Sequence, residues 1–137
     1  LSKRKLAKDY LERSKVRLKM LEFLKNEGAY ADVVREAQEV VELMLKGLIL
    51  YYGLDVPKVH DVSRFIEENI NVFPEKIKEN LPKIKQISRS LRKERELAFY
   101  GLSDWIPSEE YTLEDAERAI TWAKEMFELV SLSLEFL

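Results

Sequence analysis

The chain has 137 residues, 46% hydrophobic and 35% charged, with four glycines and four prolines. That size and mixture suit one helix-rich domain with a real core, and exclude a disordered or all-β chain. The absence of cysteine and the single histidine exclude disulfides, thiolate metal sites and any metal site needing two histidines, and fit a reducing cytoplasm.

In chain order, Leu6, Tyr10, Leu11, Val16, Leu18, Leu21 and Leu24 keep roughly helical spacing, and "NEG" at 26–28 ends that helix with Gly28 as its cap. A second helix is predicted from about Tyr30 to Tyr52, closed by Gly53. After the loop "LDVPKVH", a short helix is predicted from about Asp61 to Asn69, with Asp61 as N-cap. Pro82 either kinks the next segment or sits in the first turn of a helix that runs to Tyr100. The loop "GLSDWIPSEEY" leads to Thr112, with Asp115 three residues on as its reciprocal capping partner. The last helix carries Leu113, Ala116, Ile120, Ala123, Phe127 and Val130 on one face. No alternation suggests a strand. The expectation is an all-α fold: an antiparallel bundle of four long helices plus a short one, forming a single domain over residues 1–137.

The basic opening, "LSKRKLAKDYLERSK", lacks the apolar core of a signal peptide. The stretch "VVELMLKGLILYY" is broken by Glu42 and Lys46 and is too short to span a bilayer. A soluble cytoplasmic protein is expected, and abundant Lys and Glu with sparse Asn and Gln lean toward a thermophile.

The net charge of −2 conceals segregation. Residues 1–19 hold eight basic and two acidic side chains, residues 83–95 six and one, and residues 108–137 two and eight. Such a field either steers an anionic partner or lets opposite helix faces meet.

Several residues break the apolar pattern. Gln38, Glu42 and Lys46 recur every four residues as a polar stripe, either plain exposed surface or a strip aimed at a groove. Ile77, Leu81, Ile84, Ser88, Leu91, Arg95 and Ala98 step by four and three, which predicts Arg95 at least partly buried and met by Glu42 or Glu96. Arg89, Arg92, Lys93 and Arg95 form either a set of structural ion pairs or an anion-binding wall. His60 reads as a loop-bonding residue, and Trp105 and Trp122 as packing residues. Glycine-rich phosphate loops, HExxH and Ser/His/Asp sets are absent, and no cofactor or metal is expected.

Together, "YADVVREAQEVVELMLKGLILYYGLDVPKVHDVSRFI" and "SRSLRKERELAFYG" resemble the HEPN family of small helical bundles, the second stretch in an archaeal branch. Ala37, Gln38, Glu42, Lys46, Gly53, Pro57, His60 and Asp61 carry the first match. The resemblance implies a homodimer whose fourth helices face each other across a cleft. It also implies RNase activity in many members, from an arginine followed four to six residues later by a histidine. Some such members are toxins opposed by a minimal nucleotidyltransferase-like partner, and others only bind nucleotides or RNA.

This chain departs from the pattern at its decisive residue. Counting from Arg92 or Lys93 the histidine position falls at about Ala98, and from Arg95 at Phe99 or Tyr100. The expectation is therefore a homodimeric module binding RNA or nucleotide through Arg89, Arg92, Lys93, Arg95 and Tyr100. Without a group that titrates near neutral pH it should be catalytically weak or inactive. The alternatives are a metal-independent RNase toxin using Arg95 with Tyr100 or Glu96, and a pure protein-interaction bundle.

Overall fold

The structure is a computed structural model describing residues 2–58 and 61–134, and the backbone alone of Glu96. It contains α1 (Ser2–Asn26), α2 (Tyr30–Tyr51), α3 (Val62–Glu68), α4 (Glu75–Glu79), α5 (Leu81–Phe99), α6 (Pro107–Glu110) and α7 (Leu113–Leu132), with a 3₁₀ turn at Ile70–Val72. No strand occurs among the described residues, so the fold is all-α. The four long helices are where the sequence places them. The short ones outnumber the expectation, because α4, α6 and the 3₁₀ turn are too brief to carry a periodic apolar signal.

α1 and α2 form an antiparallel hairpin closed at Gly28, whose φ of 76° is left-handed and suits glycine. The Ala29 N–H donates to the Leu24 carbonyl at 2.9 Å, satisfying the helix end. The buried residues of α1 are Ala7, Leu11, Ser14 and Leu21, while Leu6 and Val16 stand 43% and 66% exposed, against expectation. Small residues set this register. Ser14 returns its hydroxyl to the Tyr10 carbonyl at 2.7 Å and so buries no unsatisfied group.

α2 is the centre of the molecule, packed against α1, α5 and α7. Met44, Leu45, Leu48 and Ile49 are completely buried, each contributing roughly 1.5–3 kcal/mol of transfer free energy. Gly47 marks its closest approach to α1, since a Cβ there would lie 2.8 Å from the Leu11 Cδ2 and 3.3 Å from the Tyr10 Cβ.

Asp61 caps α3 by accepting the Arg64 N–H at 3.1 Å. Pro82 sits in the first turn of α5, where its missing N–H costs nothing. Ile77, assigned by sequence to the same face as Ile84, belongs to the separate α4. The capping box of α7 is complete: the Asp115 N–H donates to the Thr112 Oγ1 at 3.2 Å, and the Thr112 N–H donates to the Asp115 Oδ2 at 2.9 Å. α7 buries Ala116, Ala119, Ile120, Ala123, Met126 and Val130, while Leu113 faces outward at 44% exposure. No helix among the described residues is long and apolar enough to cross a membrane.

Candidate nucleic-acid interface

The core face of α5 is formed by Ile84, Ile87, Leu91 and Ala98. At roughly 100° per residue, Arg95 lies about 40° beyond Leu91 and about 80° beyond Ile87, at the rim of that face. Its side chain is accordingly 46% exposed and not enclosed. It does meet a carboxylate, but that of Glu39, whose Oε1 accepts from the Arg95 Nε at 2.9 Å and Nη2 at 2.6 Å. Glu42, the predicted partner, pairs instead with Lys46 at 3.3 Å and adds only to the field at Arg95. The hydrogen bond to Glu39 holds the Arg95 guanidinium above its ordinary pKa, against the opposing effect of burial.

The same α2–α5 seam holds a second pair one turn along. Arg35 lies over the Phe99 ring, 4.4 Å from its centroid. With Glu39–Arg95 this fixes the antiparallel register, each step of four on α2 matching a step of four back on α5. Neither Arg35 nor Glu39 was singled out in the sequence, because each reads there as an ordinary charged position on an amphipathic helix.

Arg89 and Arg92 converge on one carboxylate. The Asp61 Oδ2 accepts from the Arg89 Nε at 3.2 Å and lies 3.7 Å from the Arg92 Nη2. Burial alone would raise the Asp61 carboxyl. The Ser63 hydroxyl at 2.7 Å, the Arg64 N–H and the two arginines outweigh it and hold the group below its ordinary value. Asp61 is therefore both helix cap and anchor for two guanidinium groups, and the sequence showed only the first role.

The other predicted residues divide. Tyr100 is 77% exposed and edge-to-face with Phe99, and is close enough to Arg95 to add to its field. Lys93 is exposed but lines a different cleft, between α5 and α7, and does not join the arginines. Gln38 is buried at 7% exposure, with its Oε1 unpartnered among the described residues, so the predicted stripe keeps only Glu42 and Lys46 near the surface. His60 and the side chain of Glu96 lie outside the described residues.

Three guanidinium groups on one helix thus meet two carboxylates, and all three remain at least 38% exposed. The position counted from Arg92 where a histidine would complete an RNase motif is Ala98, buried at 2% exposure. The HEPN domain model matches residues 7–133. The chain belongs to the HEPN family.

A curated relative from Methanocaldococcus jannaschii, "Putative toxin MJ1304", is 28% identical over 132 residues, covering 92% of this chain and 86% of the relative. No solved structure matches the chain.

Proposed function

We propose that this HEPN protein binds RNA through Arg89, Arg92 and Arg95 of α5, in a cleft completed by the α5 of a second copy, and cleaves it very slowly or not at all. The supporting observation is the excess of exposed guanidinium over carboxylate on one helix face. Arginine forks match phosphate oxygens, and the charge provides affinity without sequence preference. Tyr100, exposed at the end of the same helix, offers a ring for base stacking.

Slow chemistry follows if no imidazole joins the arginines, and none does among the described side chains. The groups beside Arg95 are the Glu39 carboxylate, already engaged by the guanidinium, and the Tyr100 phenol at the helix end. The likeness to a protein named as a putative toxin favours a second reading, a toxin; that such a toxin would act as an RNase opposed by a nucleotidyltransferase-like partner is what the family resemblance adds.

Incubating the purified protein with mixed RNA, beside an Arg92→Ala/Arg95→Ala variant, separates these readings. Binding at low salt that the variant loses, without cleavage products, supports the first. Fast cleavage by the parent and not by the variant establishes the second. No binding by either leaves a protein-interaction bundle.

A further inference from the structure

α5 and α7 both pack along α2 but scarcely touch each other. The space between them is a cleft of about 440 Å³, floored by Val34, Leu91 and Ala119. Its walls carry Trp105, Trp122 and Tyr111, together with Glu94 and Glu110. The end of the cleft is built by a tight turn, in which Leu102 and Trp105 exchange two backbone hydrogen bonds of 3.0 Å. Gly101 makes that turn possible: its φ is 69°, and a Cβ there would lie 2.7 Å from the Trp105 carbonyl oxygen. Trp105 in turn stands edge-on to Tyr111, with ring centroids 5.3 Å apart.

Two groups in the walls set the polarity. The Tyr111 hydroxyl donates to the Glu94 Oε2 at 2.6 Å, which orients that carboxylate through one of its two oxygens. Glu110 adds a second negative charge. On the cationic side, Arg118 is 3.5 Å from Asp115, so Lys93 is the remaining positive group of the lining. The lining as a whole holds three carboxylates, Glu94, Glu110 and Asp115, against two cations, Lys93 and Arg118. Phosphate is disfavoured there. A flat cation with hydrogen-bond donors is favoured, because electron-rich rings and carboxylates both attract it.

We propose that the cleft is a docking site for an arginine side chain of a protein partner. A guanidinium stacks on indole and donates in a fork to carboxylate, which a lysine ammonium does less well. The rim identifies a protein as the source. Leu102 and Ile106, on either side of Trp105, are 60% and 44% exposed, and a protein surface would cover them while its arginine enters.

The chain's two tryptophans both line this cleft, so intrinsic fluorescence reports on it directly. Four probes are titrated at low salt: acetyl-arginine methylamide, the uncharged isostere acetyl-citrulline methylamide, acetyl-leucyl-arginyl-leucinamide and adenosine monophosphate. The arginine compound is expected to give a saturable change in the millimolar range, citrulline none, and the tripeptide about tenfold tighter binding through the apolar rim. Glu94→Gln and, separately, the exposed-site variant Glu110→Gln should each weaken the arginine probe about tenfold. Arg92→Ala should leave it unchanged. No response to arginine, or an equal response to citrulline, overturns the proposal. Tripeptide binding no tighter than the methylamide overturns the protein source in favour of a free guanidinium compound, and a stronger response to adenosine monophosphate overturns the cation assignment.

Discussion

Arg95 on α5 is held by Glu39 on α2 through two hydrogen bonds to a single carboxylate oxygen, with both side chains partly open to solvent. Half-exposed pairs contribute little to stability, so Glu39→Ala should cost no more than about 1 kcal/mol in denaturant unfolding. The same change releases Arg95 for phosphate, so it should tighten RNA binding at low salt. Glu42→Ala, which breaks the Lys46 pair and removes a weaker field at Arg95, should cost about 0.5 kcal/mol or less and affect RNA binding less. A loss of several kcal/mol on Glu39→Ala would mean that the pair holds the helices together and is unavailable to RNA.

Salt dependence measures how many arginines contact phosphate. For single-stranded RNA each contact contributes a slope of about −0.7 in log K against log salt. Arg92→Ala/Arg95→Ala should therefore flatten the slope by about 1.4, uniformly across RNA sequences. Lys93→Ala should flatten it little, because Lys93 lines the other cleft.

The Asp61 carboxyl is held below its ordinary value. Its stabilising effect is present above the unfolded-state pKa, which is about 3.9, and is lost as pH falls through the lower folded value. Asp61→Asn keeps a capping side chain but removes the charge between Arg89 and Arg92. Thermal melts from pH 6 downward should show the parent's advantage over Asp61→Asn shrinking below about pH 4. A constant gap would place the effect in the cap and not in the charge.

Gly47→Ala tests the contact between α1 and α2. Helix propensity alone predicts a gain of about 1 kcal/mol. The new methyl would instead meet the Leu11 side chain and the less yielding Tyr10 Cβ, at 2.8 and 3.3 Å. Overpacking of this kind costs about 1–3 kcal/mol, so a net loss is expected in chemical denaturation.

The helices and caps were legible because they rest on local signals: Gly28, Asp61, and Thr112 with Asp115 each act within a few residues. On α1, Leu11 and Leu21 are buried and Tyr10, Leu18 and Leu24 pack against the core as the spacing suggests, while Leu6 and Val16 do not. The register is carried by Ala7 and Ser14, whose small size matters only against a neighbouring helix. The arginines were legible as a cluster, but their partners were not. Glu39 and Asp61 meet them across 56 and 28 residues of sequence, a distance at which no spacing rule operates. Lys93 was grouped with them by proximity in sequence, although about 100° of helix per residue turns it toward α7.

Ala98 gives the departure from the RNase pattern a physical basis. It touches the core with 2% of its surface exposed, so an imidazole at that place would press on packed apolar side chains and lose most of its contact with water, at a cost of about 1–3 kcal/mol from overpacking alone. Burial would also lower its affinity for a proton, weakening the property that makes histidine useful. A histidine at position 98 would therefore serve poorly as an acid or base, whereas one at position 100, the place counted from Arg95, would meet no such packing. The rotation of α5 about its axis thus sets the cost of an imidazole on this helix, high at the core-facing position 98 and low at position 100, only two residues further along.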